Sequence, residues 1–188
     1  MQPSRIRLLL AASLLCLCPP AVAGCDDVWD WLHSPCRTLV DTYEHGHNDL
    51  ILSGFAWHTP WTWTREKREE ENENAWGGGW GRTRENTDDS TDTVFFLVFS
   101  DSHSKPQYNL GYGWNTYWGR RDGLQGGLGY TLMLVARNDL FNGWPFPALL
   151  PLVSVRYDKL TVYSTYIPSL GGINNGSVVY IFGKVALD

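Results

Sequence analysis

Basic residues are in short supply. Lys and Arg number 15 against 20 Asp and Glu, a net charge of −5 over 188 residues, which excludes a strongly basic nucleic-acid binder. Methionine occurs only twice and charged residues reach 19%. Both a Leu/Glu/Lys-rich helical bundle and a charge-rich disordered chain are therefore disfavoured. After residue 24 no apolar run is long enough for a spanning helix. There is no G-x-S-x-G elbow, so a hydrolase-fold enzyme is disfavoured. No Cys/His spacing suits a metal, and no cofactor is expected. What is abundant is aromatic side chains (14%, with 10 Trp and 9 Tyr) and 19 Gly. That balance leans towards strands.

The first segment reads as an export signal over residues 1–23. Arg5 and Arg7 precede an apolar stretch from Leu8 to Cys18, and Ala21-Val22-Ala23 forms a cleavage site. Val22-Ala23-Gly24-Cys25 also looks like a bacterial lipobox, which makes Cys25 a candidate for lipidation. The two readings stand side by side. Cys25 and Cys36 remain in the exported chain, where a disulfide is chemically allowed. On one continuous helix they would lie about 16 Å apart along the axis, too far to bridge.

Residues 26–43, within a segment 24–45 expected as an amphipathic interfacial helix, carry the one helical signal. Val28, Leu32, Cys36, Leu39 and Tyr43 recur at steps of three and four, and Pro35 should kink the helix or start its better half. Packing on a core and lying in a membrane interface both fit that pattern.

From residue 46 onward the period becomes two. Phe55, Trp57, Trp61 and Trp63 share one face against Gly54, Ala56, His58 and Thr62. Trp76, Gly78 and Trp80 alternate with Gly77, Gly79 and Gly81, and Leu110, Tyr112 and Trp114 with Gly111, Gly113 and Asn115. With runs at 92–100, 124–136, 148–157, 160–167 and 177–187, about eight strands are predicted. One face is bulky and apolar and the other small, the reverse of a soluble barrel, so the bulk is expected to face lipid. The glycine rows then point inward and open a narrow cavity, or else merely permit bending. Residues 64–75 read as a charged exposed loop.

Two places could carry chemistry. His58 breaks the apolar pattern of its strand, although a lone strand histidine is more often structural. Asp101-Ser102-His103-Ser104 follows an apolar run and sits at a predicted rim, although Asp-Ser is also ordinary turn chemistry. Together they suggest an imidazole that manages a hydroxyl proton and a carboxylate that orients the imidazole. Asp101 and Ser102 are neighbours, so both serve one site only if the backbone turns there.

These residues resemble a known family, the lipid A palmitoyltransferases of Gram-negative outer membranes (PagP). The resemblance rests on Ala56-Trp57-His58, Trp76-Gly77-Gly78-Gly79, Asp101-Ser102, Gly111-Tyr112-Gly113-Trp114, Leu149-Leu150-Pro151-Leu152, Thr165-Tyr166-Ile167-Pro168 and Asn174-Asn175-Gly176. It implies an all-β fold: an eight-stranded antiparallel transmembrane barrel over 46–188 behind an N-terminal amphipathic helix. It implies transfer of a palmitoyl chain from a glycerophospholipid to a lipid A hydroxyl in the outer membrane; separately, a monomer is expected. His58, Asp101 and Ser102 match the family's catalytic residues, and Gly113 its glycine at the floor of the acyl pocket. Pro151 and Pro168 match prolines where lipid enters sideways. Ala75 stands where a further family proline would be, which puts a second lateral opening in doubt. Arg82 and Arg84 are candidates for the lipid A phosphates. The competing readings are a non-enzymatic barrel (adhesin or porin-like) and a lipocalin-like lipid carrier. The carrier is the weaker, because it should not cover its exterior with Trp and Leu.

Overall fold

The computed structural model describes residues 25–170 and 176–187. The expected signal segment 1–23 and its cleavage site lie outside them. The chain divides into two compact units, one up to Arg37 and one from Thr38 onward.

In the first unit, 3₁₀ turns at Cys25–Asp27 and Asp30–Leu32 precede helix α1, His33–His45, which continues into the second unit. The single helix expected from residue 26 is therefore not formed. Pro35 falls in the first turn of α1, where an N–H has no helical partner to lose, so the proline starts the helix instead of kinking it. The turns fold residues 25–32 back, and Cys25 and Cys36 form a disulfide with Cα atoms 5.7 Å apart. The wider separation expected above belongs to a straight helix that this segment does not adopt. Arg37 to Asp26 at 3.1 Å and His33 Nε2 against the Val28 carbonyl at 2.9 Å hold the same fold-back.

The second unit is a closed antiparallel barrel in which each strand pairs with its sequence neighbours and β8 closes on β1. The strands are β1 His47–His58, β2 Asn74–Glu85, β3 Ser90–Ser100, β4 Pro106–Gly119, β5 Gln125–Ala136, β6 Phe146–Tyr157, β7 Leu160–Ile167 and β8 Val178–Ala186. A short helix α2, Arg65–Glu70, lies within the charged segment expected to be a loop. The connections at the end carrying His58 are long (59–73, 101–105, 137–145, 168–177). Those at the α1 end are tight (86–89, 120–124, 158–159). That asymmetry is the outer-membrane pattern of long outer loops and short periplasmic turns.

The alternation puts the bulk outside. Leu50, Leu52, Phe55, Trp57, Trp80, Phe96, Leu110, Leu128, Leu132 and Val153 are exposed on the wall, while Ile51, Leu97, Leu150, Leu152, Tyr163 and Tyr180 are buried inside. No described helix is long and apolar enough to cross a membrane. The inward glycines divide into two kinds. A Cβ on Gly111 would meet the Leu132 carbonyl at 2.8 Å, so that glycine lets neighbouring strands approach. At Gly113 the nearest atoms would be 3.8 and 3.9 Å away, so Gly113 alone of the pair leaves room in the lumen.

Candidate active site

β1 ends at His58 because Pro60 follows two residues later and cannot continue the ladder. The imidazole is 1% exposed and points into the lumen. Trp63 packs edge-on against it, ring centroids 4.9 Å apart, and donates its indole N–H to the Ser177 carbonyl at 3.1 Å. Alternation alone puts Trp63 on the outer face of a longer strand; the turn at 59–62 carries it inward instead. A carboxylate does stand beside the imidazole, but it belongs to Glu73: Oε1 lies 3.7 Å from His58 Nδ1 and accepts the His58 backbone N–H at 3.1 Å.

β3 ends at Ser100, and the backbone turns there, as a site shared by Asp101 and Ser102 requires. The Asp101 N–H donates to the Lys105 carbonyl (2.8 Å), and the Ser104 N–H to the Asp101 carbonyl (3.0 Å). Asp101 Oδ1 accepts the backbone N–H groups of His103 (2.9 Å) and Lys105 (2.8 Å), which pins the turn. Its Oδ2 faces Arg137 Nη2 at 3.6 Å. The Arg137 guanidinium is forked onto Asp139 at 3.0 and 2.7 Å. Burial alone would raise the Asp139 carboxyl, but the hydrogen bonds and charge of Arg137 outweigh it and hold it below its ordinary value.

His58, Asp101 and Ser102 line one chamber of about 290 Å³ at the long-loop end, together with Arg137, Pro147 and Pro168. Phe99, Gln107, Met133, Leu150, Ile167 and Tyr180 are shared with a lower chamber of about 80 Å³, on whose wall Gly113 sits. The two form one slot with a polar head and a mostly apolar shaft. Such a shape suits a long hydrocarbon chain whose reactive end stays near the rim.

The wall of the slot is interrupted on one side. β6 pairs with β5 along all but its last residue, from Val135↔Phe146 to Gln125↔Arg156. With β7 it pairs only from Tyr157↔Leu160 to Leu152↔Thr165, so Phe146–Pro151 has no β7 partner in the ladder. The Pro151 carbonyl accepts a bond from Thr165 Oγ1 across this seam at 2.7 Å. A strand residue aims its N–H and C=O to the same side, so the missing donor of Pro151 would have faced β7. Pro147, four residues earlier on the same strand, shares that side. Pro168 ends β7 immediately after Ile167.

Arg82 and Arg84 are not brought to this site. They stand at the α1 end of β2, where Arg82 Nε donates to the Gly46 carbonyl at 3.0 Å. Arg84 pairs with Asp41 at 3.2 Å and Asp92 at 3.0 Å. Their bonds tie the end of α1 to the wall. Glu73, Arg137 and Pro147 are the neighbours that sequence reasoning passed over. Pro147 falls one residue before the expected strand 148–157, and its signal, a proline on the same side as Pro151, appears only once β6 is seen to start at Phe146.

Residues 38–184 match the family described as "Antimicrobial peptide resistance and lipid A acylation protein PagP". The chain belongs to the PagP family. Curated relatives agree along nearly its whole length. A lipid A acyltransferase PagP of Bordetella parapertussis is 37% identical over 92% of this chain and 94% of its own. The Methylobacillus flagellatus protein of that name is 34% identical over 94% and 96%. One from Legionella pneumophila is 31% identical over 96% and 99%. The PagP match takes in every site residue named above except Cys25.

Proposed function

We propose that this outer-membrane barrel moves a palmitoyl chain from a glycerophospholipid to a hydroxyl of lipid A. The observation that carries the reading is the single slot: His58, Asp101 and Ser102 at its polar head, and Gly113 on the wall of its apolar shaft. In the reaction the donor's ester C–O bond breaks, lysophospholipid leaves, and the acyl carbon bonds to the acceptor oxygen. The acceptor's proton passes to His58, and the departing alkoxide takes one back. Held by Glu73 and Trp63, the imidazole cannot swing away from the chamber. Asp101 acts through the turn it pins, which sets where the Ser102 hydroxyl points. Ser102 is placed to hydrogen-bond the ester or the oxyanion formed from it. The transfer needs a dry slot and oriented groups, not a cofactor. Pro151 and Pro168 mark the side on which the acyl chain enters. Arg82 and Arg84 have no part in this proposal, because they sit at the opposite end of the barrel.

The test is lipid A mass spectrometry after incubation of the purified chain with phospholipid and lipid A. His58→Ala should lower transfer by about a thousandfold, the scale of a lost general base, while heat-modifiable gel mobility stays native. Full activity in a folded His58→Ala protein defeats the assignment.

A further inference from the structure

Three connections at the long-loop end converge beside the chamber. Asp101 and His103 come from the β3–β4 turn, Arg137 and Asp139 from the β5–β6 connection, and Glu71 from the segment after α2. The Asn72 N–H donates to the Ser102 carbonyl at 2.9 Å, which docks that segment on the turn. One ligand atom from each of Asp101, His103 and Asp139 lies within 4.8 Å of the other two. His103 Nδ1 is 3.8 Å from Asp139 Oδ2, and its Nε2 is 4.0 Å from Glu71 Oε1. Asp101 Oδ2 and Glu71 Oε2 are buried with no hydrogen-bond partner among the described residues. The Asp101 side chain is only 2% exposed, and Arg137 Nη2 stands 3.6 Å from Oδ2, outside hydrogen-bond range. Exposed acidic groups often gather without purpose, but a buried carboxylate with a bare oxygen beside an imidazole is costly to keep.

We propose that Asp101, His103 and Asp139 form an inhibitory site for a divalent ion of the zinc class. One imidazole with two carboxylates suits zinc, whereas magnesium prefers a shell of oxygens. Zinc bonds such ligands at about 2.1 Å, so a tetrahedral set stands about 3.4 Å apart. Closing the observed 4.8 Å spread to that distance needs small rotations, which the exposed His103 and Asp139 side chains can make around the fixed Asp101. Glu71 then accepts the His103 Nε2–H, as an outer carboxylate that orients a metal-bound imidazole. No spacing in the sequence announces this set, because its members come from separate loops. Arg137 holds the same two carboxylates, so the ion binds by displacing a guanidinium from the chamber wall. Zinc on Oδ2 also draws charge from the carboxylate that pins the Asp101 turn, and Ser102 loses its aim. The site stands on its own geometry; its effect on transfer rests on the acyl-transfer reading above.

The experiment titrates zinc chloride into the untagged, metal-stripped chain in detergent, in competition with a fluorescent zinc chelator, and follows transfer in parallel. The native chain should hold zinc here with a Kd of about 1 μM. His103→Ala, which keeps the backbone N–H that Asp101 accepts, should weaken that binding by about a hundredfold, and Asp139→Asn likewise. Glu71→Gln should weaken it by about tenfold. The zinc-saturated native chain should transfer about tenfold more slowly, with recovery on adding chelator. His103→Ala should transfer at the native rate with or without zinc. Native zinc affinity in a folded His103→Ala chain overturns the site, as does equal competition by magnesium at the same concentration. Undiminished transfer by the zinc-saturated native chain, or equal zinc inhibition of His103→Ala, overturns the inhibition. If the native chain transfers nothing even without zinc, the acyl-transfer reading fails by itself. Zinc binding then decides the site: its loss in His103→Ala supports it, and its persistence overturns it.

Discussion

Two seams of the barrel both run to the long-loop end and are built in opposite ways. Between β1 and β2 the ladder runs from His47↔Thr83 to Phe55↔Asn74, with one irregularity after Ser53. Bonds continue to the rim: the Ala56 N–H donates to the Glu73 carbonyl at 2.9 Å, and the His58 N–H to the Glu73 carboxylate. Ser53 Oγ bridges the irregularity by donating to the Ala75 carbonyl. Between β6 and β7 the ladder stops at Leu152↔Thr165 and the upper part of β6 stands apart. Facing lipid, an unpaired backbone group costs several kcal/mol. The open seam limits that cost in two ways. Pro147 and Pro151 have no donor to leave unpaired, and the Pro151 carbonyl is satisfied by Thr165 Oγ1. A gap in a membrane barrel is thus written as prolines on one side of a strand. Ser53 and Ala75 mark the sealed seam, in keeping with the doubt that Ala75 casts on a second opening.

The strongest way to break this contrast is to tie each seam shut. Pro151→Cys with Tyr166→Cys, joined through two mixed disulfides by a short bis-thiosulfonate linker, should cut transfer by about a hundredfold if acyl chains enter there, with recovery on reduction. Phe55→Cys with Asn74→Cys, which face each other in the sealed seam, should leave transfer within about twofold. Among the described residues the native cysteines, Cys25 and Cys36, are already paired and do not compete. Equal losses from the two links would remove the functional difference between the seams.

A weaker intervention restores a donor without a link. Pro151→Ala puts an N–H on the β7-facing side, and one further ladder bond is worth about 1 kcal/mol net. Transfer should fall by about fivefold, roughly the population shift such a bond produces. Hydrogen exchange in Tyr166–Ile167 should slow at the same time. Unchanged exchange there would show that proline is not what holds the seam apart.

Much of the barrel is legible in the amino-acid order alone, for physical reasons. Period-two alternation with bulk on one face is set by the strand itself, so the eight expected strands lie close to the observed ones, mostly within two residues. Larger misses come where alternation outruns the strand. Trp61 and Trp63 keep the rhythm past Pro60, yet the turn there sends Trp63 onto His58. Pairing across loops is not legible at all. Glu73 and Arg137 lie among other charges in segments that read as solvated, and only the closed barrel brings them to His58 and Asp101. Arg82 and Arg84 look free because nothing in the sequence places the end of α1 beside β2.

The smallest expected effect concerns the loop that holds the upper end of β6 beside the open seam. Asp139 sits between β5 and β6, paired with Arg137, and its carboxyl is held below the ordinary 3.8. A carboxyl depressed by folding contributes stability that is present above its unfolded pKa and lost as pH falls through the lower folded value. Acid below about pH 4 should therefore loosen residues 137–145 first, while the β1–β2 rim keeps its backbone bonds. Asp139 is partly exposed, so solvent screens the pair and the loss should be modest. Hydrogen exchange at pH 3 against pH 6 measures it: with each rate divided by the intrinsic amide rate at that pH, exchange in 137–145 should rise by about threefold at the lower pH in the native chain. Asp139→Asn, which has no charge to lose, should show the faster rate at both. A native loop that exchanges equally at the two pH values would mean that Arg137 is held by Asp101 alone, and that the open seam is no more acid-sensitive than the sealed one.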